Sequence, residues 1–543
     1  MDTKRLILYA LLVGILITLW QAWQKDYGAQ PAPSGSVAEQ TIPTGGQSLS
    51  QQAAIPAAVS APASAAIQSQ LIKVQTDLMQ VMIDTQGGNI VELNLLKFPA
   101  EVGSSTPVQL LRNNPDNPYI AQSGLIGAQG PDAQNNQAQF TAAQTSYQLQ
   151  PGQNQLNVVL TWQNAQGVTV TKTFTFLRGQ YPVKVNYQVD NRGTQPWSGQ
   201  LYAQLRQKPP VNNNSIFSLH TFNGAAVSTA HEPYEKFTFS KLIEENIDRS
   251  TPGGWLAMQQ RYFLSVWIPE PNQNQHYYSR TDNNHIVTLG VIGPVLQVAP
   301  NSSTSTEATF YGGPEIPDYL RALAPHLDLT INYGWLWPIS QAIFWIMKHL
   351  YHWIGNWGWA IILVTVLIKL LFYKLSETSY RSMAKLRKLA PKLEAIKDRY
   401  GEDRQKLGKA TMELYRKEKA NPLSGCLPML IQIPFFIALY YVLVESVAFR
   451  QAPFIGWIRD LSVHDPYYIL PILMGITMWI QQRLTPTPSA DPMQARIMML
   501  LPIFFTVFFL AFPAGLVLYW LVNSCLSVLQ QWWVIRQMDR KSK

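Results

Sequence analysis

The stretch Trp357–Tyr373, WGWAIILVTVLIKLLFY, constrains this chain more than any other. As a helix rising ~1.5 Å per residue it is long enough to cross most of a hydrocarbon core ~30 Å thick. Two polar side chains interrupt it, Thr365 and Lys369. They are four residues apart and so share one helical face. A lysine near the middle of a bilayer costs about 2.5–3.5 kcal/mol on insertion scales, and such residues usually face a partner or a water-filled cavity. The run by itself leaves two readings open. The Lys369 stem snorkels to the interface marked by Lys374, or its ammonium is held inside for use.

The rest of the composition supports a membrane protein with a large soluble part. Hydrophobic residues are 47% of the 543 and charged residues only 14%, low for a soluble chain. The net charge of +9 is unevenly spread: residues 24–334 carry −4 and the remainder +13. A mildly acidic portion and a basic portion that also holds the apolar runs fit an extracytoplasmic domain and cytoplasmic loops under the positive-inside bias. The same placement argues against a nucleic-acid surface. Cys426 and Cys525, the two cysteines, both lie in apolar segments and read as buried free thiols rather than a disulfide.

Residues 1–25 place Lys4 and Arg5 before the apolar run Leu6–Trp20, with no A-x-A site beyond it. This reads as an uncleaved signal anchor with a cytoplasmic N-terminus. Residues 26–70 are rich in Ala, Gln, Pro, Ser and Gly and cannot build a core, so a flexible linker is expected. Residues 71–325 show period-two segments such as GVTVTKTFTF at Gly167–Phe176. With polar Gly, Asn and Pro connections these predict an all-β sandwich domain. His231-Glu232 lacks the second histidine of HExxH, so no zinc protease is read there.

Residues 334–356, rich in tryptophan with His349 and His352, predict an amphipathic helix in the outer interface. A second transmembrane helix follows over 357–375. Residues 376–421 alternate Lys and Arg with Met383, Leu386, Leu389, Leu393 and Ile396 at helical spacing, which predicts a basic cytoplasmic helical hairpin. Gly408-Lys409 is followed by Ala410 and lacks the spacing of a phosphate loop, so no nucleotide site is expected. Four further spans occupy 425–534 with short loops, and 535–543 is a basic cytoplasmic tail. Alternation gives six spans with both termini inside. In the last, Tyr519, Asn523, Ser527 and Gln530 recur at helical spacing. With Thr365, Lys369 and Gln432 they outline a polar recess, unless they only bond a neighbouring helix.

Several segments carry a resemblance. NPLSGCLPMLIQIPFFIALYYVL from Asn421, RQAPFIGWIRDLSVHDPYYILPILMG from Arg450, DPMQARIMMLLPIFFTVFFLAFPAGLVLYW from Asp491 and TSYRSMAK at Thr378–Lys385 closely resemble the YidC/Oxa/Alb family of membrane protein insertases in its Gram-negative form. The likeness covers Trp357 to the C-terminus. It implies a polytopic α-helical inner-membrane protein of six transmembrane helices, with a five-helix insertase core and a large periplasmic β-sandwich domain.

It further implies a hydrophilic groove open to the cytoplasm and to lipid. Lys369 stands where the family usually has arginine, and it keeps the charge without the guanidinium's fork of donors. Thr365 matches the family's groove threonine and Tyr519 the first of two aromatics in the last span. Trp520 stands where tyrosine is frequent, and Asn523-Ser524 departs from the family's ordering. The implied activity is insertion and folding of nascent membrane proteins, alone or beside the Sec translocon and its accessory subunits, with transient ribosome contact. Neither catalysis, a cofactor nor a nucleotide is expected. From the residue pattern alone, a small-molecule anion transporter and an anchor displaying a β-domain are the competing readings. The spans show no obvious inverted repeat, which weighs against the first. The second leaves Lys369 unexplained.

Overall fold

The computed structural model describes residues 70–127, 129–132, 137–210, 222–401, 403–418, 427–484 and 492–541. The expected N-terminal anchor, nearly all of the linker, Cys426 and residues 485–491 of the inner loop lie outside these.

The sequence alternation of 71–314 becomes two packed sheets. Among the described residues one has ten strands and the other nine. Pairing is antiparallel apart from Leu71–Gln75, which runs parallel to Ser146–Gln148. The strand Val168–Leu177 alternates buried and partly buried positions throughout, so Val170, Phe174 and Phe176 enter the core between the sheets. Lys172 shares that inward face and is fully buried. Its Nζ crosses to the other sheet and donates to the carbonyl oxygens of Gly88 at 2.7 Å, Ser123 at 2.8 Å and Gly87 at 3.2 Å. Burial pushes the Lys172 pKa down, opposed by the Asp132 carboxylate. Among the described residues a single helix, α1 (Phe239–Glu244), interrupts the strands.

After the last strand, α2 (Pro317–Leu323) leads to α3 (Trp337–Ile354). Gly355 closes α3 in the left-handed region at φ 72°. This helix buries Ser340, Ile343 and Met347, whereas Trp337, Trp345 and Trp353 stand exposed. Its outward face therefore carries tryptophans alongside the exposed Lys348, His349 and His352. α4 (Trp357–Leu371) begins on an Asn356 cap that accepts from the Trp359 N–H. At Phe372 the chain bends by 67° into α5 (Tyr373–Lys388). The span read as 357–375 therefore ends four residues early.

The basic hairpin has three helices, not two: α5, α6 (Ala390–Tyr400) and α7 (Arg404–Lys417). Pro391 explains the extra break, because proline fits the first turn of a helix but not its interior. Leu386, Leu389 and Tyr415 form a small core there, and Lys392 bridges to Glu418 at 2.6 Å. Four helices complete the bundle: α8 (Leu427–Glu445), α9 (Ile469–Leu484), α10 (Pro492–Phe508) and α11 (Ala514–Lys541). α11 continues through most of the residues read as a tail. Cys525 is a free thiol, as expected, but only half-buried. Among the described residues no single helix is both long and apolar enough to cross a membrane; the bent pair α4–α5 passes the test together.

The ends of the bundle sort themselves. The loop 446–468 meets the start of α4, where Asn356 Nδ2 donates to the Phe454 carbonyl at 3.0 Å. It also meets the start of α11, where the Gly515 N–H donates to the Leu461 carbonyl at 3.0 Å. The same loop docks on the β-domain. Arg450 Nη2 donates to the carbonyls of Pro99 at 2.7 Å and Ala100 at 3.0 Å, and Gln451 Nε2 to that of Pro99 at 3.0 Å. The β-domain therefore sits at one end of the bundle.

Candidate functional site

α4 and α11 pack side by side and bring the predicted polar residues to their seam. Lys369 is only 8% exposed, and its Nζ donates to Ser527 Oγ at 2.7 Å. Ser527 Oγ in turn donates to the Asn523 carbonyl one turn earlier, at 2.7 Å. Asn523 Oδ1 accepts from Gln432 Nε2 of α8 at 3.3 Å. Three helices thus contribute to one hydrogen-bonded chain, and each member lies where helical periodicity put it. No carboxylate among the described residues reaches ion-pairing distance of Lys369. Its Nζ is held by a hydroxyl, which carries no charge to offset an ammonium.

The remaining predicted residues divide. Tyr519 is 2% exposed and stacks near Phe436 of α8, ring centroids 6.2 Å apart. Trp520 meets Phe436 edge-on at 4.8 Å and also lies 5.4 Å from Phe509. The two aromatics therefore form an apolar wall rather than part of the polar chain. Gln530 Nε2 donates to the Tyr373 carbonyl at 3.1 Å, near the bend after α4. Thr365 does not join the network: fully buried, its hydroxyl donates to its own helix at Ile361 O, 2.6 Å away. That back-bond four residues earlier is an ordinary alternative for a helical threonine.

Sequence reading missed other buried polar residues at this seam and just beyond it. Ser524 and Gln531 of α11, and Ser376 and Ser379 of α5, are each at most 3% exposed. A signal existed, since Ser524, Ser527 and Gln531 recur at three- and four-residue spacing. No group of three or more His, Cys, Asp or Glu among the described residues could hold a metal ion.

Comparison with known proteins places this arrangement. Residues 71–346 match the family described as the YidC periplasmic domain, and 349–541 match the 60Kd inner membrane protein family. The membrane protein insertase YidC of Coxiella burnetii (strain Dugway 5J108-111) is 48% identical over 98% of this chain and 96% of its own length. That of Pseudomonas putida (strain F1) is 46% identical over 100% and 99%. Among solved structures, an active YidC insertase with its first transmembrane domain resolved covers 85% of this chain and 92% of its own, at 19% identity and a TM-score of 0.37. A galactose mutarotase related enzyme from Lactobacillus acidophilus covers 45% of this chain and 97% of its own, at 10% identity and a TM-score of 0.31. Neither TM-score is high enough to inform the fold or the activity. The sequence relatives do: nearly half of all positions are shared across the whole length, through both the β-domain and the helical bundle, and this chain belongs to the YidC family of membrane protein insertases.

Proposed function

We propose that this chain inserts nascent membrane proteins by drawing the acidic or polar N-terminal tail of a substrate toward Lys369. The observation that carries the reading is the Lys369–Ser527–Asn523–Gln432 chain, a lysine inside an apolar bundle with no carboxylate beside it among the described residues. In a low-dielectric site such a charge attracts an incoming carboxylate far more strongly than it would in water. A polar recess at this seam shortens the dry path the tail must cross. The substrate's apolar segment meanwhile partitions into lipid along α8 and α10, beside the aromatic wall of Phe436, Phe509 and Trp520. The membrane potential adds ~2.3 kcal/mol per charge per 100 mV, so no nucleotide is required.

The topology that suits this role has six spans, including residues 1–25, with both termini cytoplasmic. The β-domain, loop 446–468 and the turn before α11 are then periplasmic, and the α5–α7 hairpin cytoplasmic. Contacts at one end of the bundle support the periplasmic group. The exposed tryptophans of α3 suit the outer headgroup layer. The partners this implies are nascent chains, the Sec translocon and its accessory subunits, the ribosome in passing, and the bilayer itself. The work is positional, with no bond made or broken.

The test is insertion of a single-span substrate with an acidic tail into vesicles holding the full chain, read by protease protection. Lys369→Arg retains insertion. Lys369→Glu lowers it at least tenfold, the effect of replacing attraction by repulsion worth ~1.4 kcal/mol or more. Equal insertion by the wild type and Lys369→Glu would show that the charge is not used.

A further inference from the structure

Between α4 and α11, beside Lys369, lies a pocket of about 260 Å³. Leu370, Leu526 and Trp533 are among its apolar lining residues, and Lys369, Tyr373 and Gln530 are the polar residues that line it. The mouth opens outward from the bundle: Leu370 is 63% and Trp533 45% exposed, with Leu367 and Leu529 exposed nearby. A surface of this kind on a membrane-embedded helix pair meets acyl chains. Past Leu370 the lining continues across the bend to Tyr373, and the next residue, Lys374, is exposed beyond it. No carboxylate lines the pocket.

We propose that this pocket binds one acidic phospholipid of the cytoplasmic leaflet. Its phosphate lies toward Lys369 and Gln530, and an acyl chain lies against Leu370, Leu526 and Trp533. The identity of the occupant follows from charge. An apolar slot with a buried ammonium and no acid favours a lipid of net negative charge. A zwitterionic headgroup would bring its own cation beside Lys369. Basic pockets between helices at the cytoplasmic side are a general way of holding anionic headgroups. Lipid binding here requires no substrate and goes beyond the insertase reading, resting on it only for the membrane orientation that puts this end of α4 at the cytoplasmic leaflet. A headgroup in this place supplies a resting counter-charge that no side chain among the described residues supplies.

The test uses the full chain in phosphatidylcholine vesicles containing a trace of lipid with a photoactivatable acyl chain, either phosphatidylglycerol or phosphatidylcholine. Crosslinks are mapped by mass spectrometry, with no substrate present. The expected result is labelling at residues 366–373 and 526–533 that is about fivefold stronger with phosphatidylglycerol, the factor contributed by one basic residue near the membrane surface. Lys369→Gln abolishes that preference. Leu526→Trp, which fills the slot, lowers labelling by both lipids at these peptides. Equal labelling by the two lipids, a preference that survives Lys369→Gln, or labelling spread evenly over the other helices would each overturn the proposal. Because insertion is not measured, loss of the lipid preference leaves the substrate reading intact. Failure of Lys369→Glu to impair insertion likewise leaves the lipid result standing.

Discussion

Lys172 and Lys369 are both buried lysines with no carboxylate in hydrogen-bonding contact among the described residues, and the chain satisfies them differently. Lys172 donates to three backbone carbonyls of the facing sheet, which uses all three of its protons. It also sits about 5.1 Å from the ring centroids of Phe174 and Tyr187. It is a structural tie between the sheets. Lys369 has one hydroxyl partner and donors to spare. Lys172→Met, close in volume, strands three carbonyls in the core at ~1–3 kcal/mol for each group left unsatisfied. The β-domain is expected to lose roughly 3–5 kcal/mol in all, the scale of breaking a buried charged contact. Thermal unfolding of the full chain in detergent reads this directly, and an unchanged β-domain midpoint would mean that the tie carries no stability. The alternation of GVTVTKTFTF already placed Lys172 on the inward face, but the carbonyls that receive it lie 49 to 85 residues away. No local pattern announces them.

At the scale of elements, the packing of α9 on α10 hinges on a missing side chain. A Cβ at Gly475 would lie 2.0 Å from Thr506 Oγ1 and 3.2 Å from its Cβ, so the two helices meet at contact distance. Gly475→Ala is expected to cost ~1–3 kcal/mol by overpacking. Thr506→Ala in the same chain should recover most of it, because the two positions touch. Protease resistance of the 469–508 region across the four variants measures the coupling, and additive effects would place the strain elsewhere. Helix boundaries were partly legible. Pro391 marks the break between α5 and α6, yet the apolar spacing of Met383, Leu386, Leu389, Leu393 and Ile396 carried the reading across it. The bend at Phe372 has no glycine or proline to mark it. The stripe Asn523–Ser527 and its partner Gln432 were legible because helix geometry alone brings i and i+4 together. Thr365 was misplaced because a threonine hydroxyl can turn back to its own helix as easily as outward.

Across the whole molecule, the β-domain and bundle are joined by contacts of very long range. Arg450 meets Pro99 across 351 residues, and periodicity carries no information about such pairs. A second junction lies near Glu315, just past the last strand. It is 4% exposed, and Gln259 Nε2 reaches its Oε1 at 3.4 Å. Burial raises its pKa well above the usual carboxylate value, and the Glu445 carboxylate at the end of α8 raises it further. The folded protein therefore holds a proton there that the unfolded chain releases near pH 4.5. The resulting stabilisation is full below that pH and is lost as pH rises through the folded-state pKa. Glu315→Gln stays neutral at every pH. The midpoint of thermal unfolding should thus fall less in this variant than in the wild type between pH 4.5 and pH 8. An identical fall in both would assign the pH dependence to other groups.

The sharp end of α4 at Leu371 has an electrostatic consequence for the residue two places before it. Lys369 lies in the last turn of its helix, where unpaired carbonyl ends sum to roughly half a negative charge. The carbonyl end of α4 is thus a partial counter-charge, fixed in place and unable to titrate, offset in part by the N–H end of α5 that starts at Tyr373. It favours the ammonium without occupying it as a carboxylate would. That leaves the cation's remaining donors free for an acid that arrives from outside and has to leave again.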